Sequence, residues 1–254
     1  MKCDTIRRME ILVIPDAHAK PGVSNRRFEM AGRYIADRKP DVVVSIGDHY
    51  DMESLSSYDE GKTCFEGRRL KADIQVGLDA FERLEHCAKG HKPRKVFCLG
   101  NHEIRLARMM DGDSKLDGLF KLSDLQFKGW EMHDFLQVVN IAGVNFSHYF
   151  CTGTMGRPQG GEYPAANLIK KQFTSCVQGH SHVLDFATRT TAKGNKLMGL
   201  VVGCFLDSKQ HEHYANPQGN NLWHKGLVTL KNVENGCFDI ETIGIKALER
   251  AYGK

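Results

Sequence analysis

The chain has 254 residues, 35 Lys and Arg against 31 Asp and Glu, a net charge of +4, and 41% hydrophobic residues. That length can bury a substantial core in one large or two small domains, and the composition is that of an ordinary globular protein. So small a basic excess implies neither a nucleic-acid nor a membrane partner, and no stretch approaches the roughly 18–20 apolar residues of a membrane span.

The polar segment Met1–Arg8 leads straight into a strand-like run, Ile11–Ile14, so no signal peptide is expected. A helix follows over about Asn25–Arg38, with Phe28, Ala31 and Ile35 on one face and Pro40 to end it. Val42–Ile46 reads as a second buried strand. Leu70–Ala88 reads as a helix with the stripe Ile74, Leu78, Phe81 and Leu84, and Val96–Leu99 as a third strand. This βαβαβ order predicts an α/β sheet with right-handed crossovers. Beyond it, Leu136–Ile141 and Val144–Phe150 read as a hairpin. Cys176–Gln178, Leu197–Phe205, Leu227–Leu230 and Phe238–Ile243 are short strands, and only about Ala165–Phe173 looks helical. A second, mostly antiparallel sheet packing on the first is therefore expected, in one domain spanning 1–254. Eight cysteines without a CxxC pair predict free thiols and a reducing cytoplasm rather than a disulfide framework.

Twelve histidines are more than such a chain needs. The first three strands end in Pro15-Asp16-Ala17-His18, Gly47-Asp48-His49-Tyr50-Asp51 and Gly100-Asn101-His102-Glu103. Ser147-His148 and Gly179-His180-Ser181-His182 follow later strands. In an open α/β sheet ligands bind beyond the carboxyl ends of the strands, so these groups converge on one rim. Asp16 and His18, like His180 and His182, stand at i and i+2, where an extended backbone would point both the same way. Glycines before Asp48, Asn101 and His180 read as tight turns. Mixed carboxylate, amide and imidazole donors suit manganese, iron or zinc better than magnesium.

The ordered series D-x-H, G-D-x-x-D, G-N-H-E, H and G-H-x-H, from Asp16 to His182, resembles the calcineurin-like metallophosphoesterase superfamily. That resemblance implies an α/β fold of the four-layer αββα sandwich type with mixed sheets. It also implies a hydrolase, phosphatase or phosphodiesterase, with two divalent metal ions: manganese first, then iron, zinc or nickel. One metal would be held by Asp16, His18, Asp48 and His182. The other would be held by Asp48, Asn101, His148 and His180, with Asp48 bridging. His102 would bind the phosphoryl group with Asn101 and protonate the leaving oxygen, oriented by Asp51. Arg105, two residues beyond the G-N-H-E motif, and Arg157 in the glycine-rich loop Gly153–Gly161 are candidates to meet a substrate phosphate.

The chain departs from the serine/threonine protein phosphatases, which carry Arg-Gly where Met52-Glu53 stands, and from the repair nucleases, which show G-N-H-D where Glu103 stands. It is most similar to small stand-alone members of bacterial or phage type. The expected partner is a small phosphorylated or nucleotide substrate. A nuclease and a catalytically inactive binding scaffold are the alternatives, and nothing in the sequence sets an oligomeric state. His49 matches no motif position and reads as lying beside the site. His86, His91 and His133 read as surface residues, and His211, His213 and His224 at most as pocket edge. Lys89, Lys92, Arg94 and Lys95 precede the third strand and read as a solvated rim opposite the site.

Overall fold

The computed structural model describes residues 8–212, 215 and 217–253; Cys3 and His213 lie outside the described residues. Branched and aromatic residues build β1 (Met9–Ile14), β2 (Val42–Ser45) and β3 (Arg94–Cys98). These pair in parallel, followed by the short β4 (Glu131–His133), also parallel to β3. The connections are α1 (Arg26–Arg38), which ends at Lys39 in a left-handed cap before Pro40, and α2 (Leu70–Cys87). After β3 comes α3 (Ile104–Gly112).

A second sheet is formed by β5 (Val139–Ile141), β6 (Val144–Phe146), β9 (Cys176–Gln178), β10 (Leu184–Thr190) and β11 (Lys196–Val202), in the order β10-β11-β9-β6-β5. Between β6 and β9 lie a two-stranded ribbon, β7 (Cys151–Thr152) with β8 (Arg157–Pro158), and α4 (Pro164–Gln172). The chain closes with α5 (Pro217–Leu222), β12 (Gly226–Glu234), β13 (Cys237–Gly244) and α6 (Ile245–Tyr252).

The fold is α/β with mixed sheets, and three expectations need correcting. First, β12 and β13, read as part of the second sheet, join the first one antiparallel on the free side of β1. Second, the second sheet is mixed rather than mostly antiparallel, because β6, β9 and β11 run parallel. Third, β4, β10, α3, α5 and α6 were not expected. The edge strand β10 has only Leu184 and Phe186 in alternation, both partly exposed, before the polar run Thr188, Arg189 and Thr190, so its apolar signature is short. The helix α6 is a single short amphipathic element directly after a strand.

Alternation along the strands divides the core. Ile11, Val13, Val42, Val44 and Val96 share one apolar cluster with Val144, Phe146, Val177, Leu200 and Val202 of the second sheet, as in a sandwich. The intervening residues Leu12, Val43 and Phe97 pack with Phe28, Ile35, Phe81 and Leu84 of α1 and α2. The carboxyl-terminal parts of β1, β2 and β3 are therefore buried on both faces and fixed from both sides. The seven described cysteines are free thiols, three of them (Cys98, Cys176, Cys204) buried. No described helix is long and apolar enough to cross a membrane.

Candidate metal centre

Beyond β1 the chain turns sharply. Ala17 and His18 both donate their backbone N–H to the Asp48 carbonyl, at 3.0 and 2.8 Å, so the loops after β1 and β2 are locked together. His18, Asp48, His180 and His182 all have positive φ, between 43° and 70°. This corrects the extended i, i+2 reading. The paired side chains converge through left-handed turns, a strained geometry for non-glycine residues of the kind concentrated at functional sites.

Two of the motif glycines also act differently from the expected turns. Only Gly47 has positive φ; Gly100 and Gly179 are needed because a Cβ at either would collide with a carboxylate, that of Asp48 or Asp16 respectively.

The converged side chains form groups able to hold a metal ion: Asp16, His18 and His182 in one, Asp48, His148 and half-buried His180 in another, and His18, Asp51 and His102 in a third. Nε2 of His182 lies 3.4 Å from Asp16 Oδ2 and 3.1 Å from Nε2 of His18. Asp48 Oδ2 is 3.4 Å from His148 Nε2 and 4.0 Å from His18 Nε2, so it lies between the two groups. Asn101 Oδ1 sits 2.9 Å from His148 Nε2 and 2.8 Å from His180 Nδ1. Every metal-ligand candidate named from the sequence is thus brought together.

The donor set fits a cation on a further observation: Asp16 is fully buried, yet its Oδ1 has no hydrogen-bond partner, an arrangement costly without an electrophile. Burial and the neighbouring imidazoles push His18 below its ordinary pKa and His180 down to about 4, leaving both in the neutral form that ligates metal. Burial works the same way on His148, but the facing Asp48 carboxylate overrides it and raises that residue to about 9.

Nδ1 of His102 faces two acceptors of Asp51, the main-chain oxygen at 2.6 Å and Oδ1 at 3.0 Å, so Nδ1 carries the hydrogen. Burial lowers the His102 pKa, but Asp48 and Asp51 outweigh it and leave it raised. Arg105 donates to the main-chain oxygen of Asp51 at 2.9 Å and places Nη2 3.1 Å from His102 Nε2. Arg157 is a correction: it lies exposed on the β7–β8 ribbon, outside the residues that line the cleft.

That cleft, of about 370 Å³, is lined by His18, Asn101, His102, Arg105, Tyr58 and Trp223 among others. His49 is a core residue instead. It stacks on Phe81 at 3.8 Å and lies 2.9 Å from the Gly77 carbonyl, and burial lowers its pKa to about 3. Of the rim opposite, Arg94 pairs with Glu131 and Lys95 with Glu85, as a solvated edge would. His91 and His133 are half-buried rather than surface residues, His91 against the Pro40 carbonyl, whereas His86 is exposed as expected.

Several contributors were missed. Trp223 meets the His182 ring edge-on at 4.4 Å, and Tyr58 flanks the cleft. Fully buried Arg27 donates to the carbonyls of Ala17 (2.7 Å), Ser24 (2.8 Å) and Phe205 (3.0 Å), bracing the backbone between Asp16 and His18. Lys20 is buried against Glu212, Asp51 and Glu53. Burial would neutralise it, but these carboxylates raise its pKa and keep it charged. An Arg on an amphipathic helix and a Lys in a turn carry no sequence signal of burial; only the position of Lys20, two residues after His18, could have pointed to it.

Fold and site together define an α/β protein with a buried His/Asp centre, competent for metal, at the carboxyl ends of its strands. No family model matches the chain. It is similar to the Gene 54 protein of Mycobacterium phage L5, 25% identical over 228 residues, which cover 87% of this chain and 88% of that protein.

Proposed function

We propose that this protein is a calcineurin-like metallophosphoesterase, one αββα domain that hydrolyses a small phosphate mono- or diester with two divalent cations, manganese first among them. The observation that carries the reading is the position of Asp48, between a His18/His182/Asp16 group and a His148/His180/Asn101 group, with His102 braced beside it. Asp16, His18, Asp48 and His182 would hold one cation and Asp48, Asn101, His148 and His180 the other; such ions lower the pKa of a shared water and draw charge from phosphoryl oxygens.

The chain's own groups supply the remainder. Arg105 and His102 both line the cleft with their nitrogens 3.1 Å apart, so a phosphoryl oxygen that came between them would accept from both. Asp51 holds the Nδ1 proton of His102, so Nε2 is the nitrogen that gives its proton to the departing oxygen. Free thiols throughout the described chain support a reducing, cytoplasmic setting.

A nuclease is the second reading, favoured by one observation. A neighbouring cleft of about 710 Å³ shares Asn101, Arg105 and His180 with the first and continues past Arg108, Tyr149 and Phe65, offering cations and rings to a longer strand.

The test is turnover by chelated and manganese-reloaded protein on a chromogenic monoester, a chromogenic diester and single-stranded DNA. Manganese-dependent cleavage of a chromogenic ester is expected. Cleavage of DNA alone, falling steeply with salt, would select the nuclease. Two bound metals with no turnover on any substrate would overturn both in favour of a binding scaffold.

A further inference from the structure

Lys20 follows the first metal loop, and its position is set by the backbone: Ala19 donates to the His49 carbonyl at 2.8 Å and accepts from Asp51 at 3.0 Å. Its side chain runs inward, leaving the residue 8% exposed. Three carboxylates surround Nζ: Glu212 at 2.7 and 2.9 Å, Asp51 Oδ2 at 3.3 Å and Glu53 Oε1 at 3.4 Å. Glu212 comes from 192 residues away and is itself 2% exposed. It is anchored by Gln210, whose Nε2 donates to Oε1 at 2.7 Å, and by reciprocal backbone bonds with the Asn220 side chain at 3.1 Å.

The two oxygens of Asp51 are thereby divided. Oδ1 faces His102 Nδ1 at 3.0 Å and His18 Nδ1 at 3.5 Å, while Oδ2 faces Lys20. The final torsion of an aspartate is broad and weakly held by its own rotamer preference. Its plane is fixed only if both oxygens have partners. Without a cation, Asp51, Glu53 and Glu212 would also repel one another across a buried space.

We propose that Lys20 and Glu212 are a positioning pair. Lys20 holds the Asp51 carboxylate in the plane that orients His102, and Glu212 holds Lys20, so the segment around Glu212 governs the reactivity of the acid. This rests on the reading of His102 as the acid of a phosphoesterase, and it adds two residues outside every motif in the sequence.

The experiment compares wild type with Lys20→Met, Lys20→Arg and the double variant Lys20→Met, Glu212→Met. The double variant removes the buried charge pair together and guards against a misfolded single variant. Three quantities are read: kcat and KM on a chromogenic diester with manganese, manganese bound per chain, and the ring 15N–1H signals of His102 in metal-free protein. Both charge-removing variants should lose about 10- to 100-fold in kcat, the range typical of partners that orient active groups. KM should stay within about twofold and metal content should be unchanged. Lys20→Arg should recover most of the rate. The His102 Nδ1 signal should move in Lys20→Met and in the double variant. An unmoved signal in both, or an active enzyme whose kcat is unaffected, overturns the proposal. A signal that moves in a protein whose wild type cleaves no phosphoester upholds the positioning and overturns the phosphoesterase reading instead.

Discussion

Glu103 holds Asp48 by its backbone: Oε2 accepts the Asp48 N–H at 3.0 Å and the Gly100 N–H at 2.7 Å, while Oε1 accepts the Tyr50 N–H at 2.9 Å. The residue is fully buried. One side chain from the third strand's loop thus ties down the turn that presents the central carboxylate. Glu103→Gln puts an NH₂ group where an acceptor is needed. It should cost about 1–3 kcal/mol, the penalty for a buried donor left unpaired. Urea unfolding of the two proteins measures it, and metal affinity should fall in parallel.

Gly179 faces the other carboxylate. A methyl there would meet Asp16 Oδ1 and the Ile46 side chain, whereas one at Gly112, on the last turn of α3, meets nothing within 4 Å. Gly179→Ala should weaken metal binding by about 10-fold or more, as displaced supports of a metal site do. Gly112→Ala should leave it unchanged. Competition with a chelating dye reads both.

His49 predicts how stability responds to acid. Burial holds its folded pKa near 3, against an ordinary 6.5, so the unfolded chain takes up the proton first. Its contribution is fully present above pH 6.5 and is lost as pH falls toward about 3. His49→Gln should be less stable at pH 7 and should show a shallower decline between pH 6.5 and 4. Urea midpoints across that range give the comparison.

His102 separates catalysis from ligation. Its Nδ1 is held by Asp51, and it belongs to neither proposed ligand set. His102→Ala should therefore keep the full metal complement while losing at least about 100-fold in turnover, the scale of a missing general acid. Metal analysis and steady-state kinetics on one preparation provide the check.

Much of this was legible because it rests on local rules. Strand runs such as Val42–Ser45 are apolar and branched, and each motif follows one, so the convergence of Asp16, Asp48, Asn101, His148, His180 and His182 follows from the α/β topology. What was illegible depends on long-range packing. Whether β12 joins the first or second sheet is decided by its partner β1, more than 200 residues earlier, and not by its own composition. Lys20, held by Glu212, and Arg27, held by the Phe205 carbonyl, are polar residues whose burial exists only once distant segments meet. Arg157 differs for the opposite reason: its place in the glycine-rich loop after His148 offered it to a substrate phosphate, but it sits exposed on the β7–β8 ribbon, apart from the residues that line the cleft.

The central claim is a dinuclear centre joined at Asp48. Its most direct test is metal bound per chain at saturating manganese, by elemental analysis after equilibrium dialysis, for wild type and Asp48→Asn. Two ions per chain in wild type and at most one in Asp48→Asn are predicted. Wild-type protein that saturates at one ion or none, or an Asp48→Asn variant that still holds two, would contradict the account.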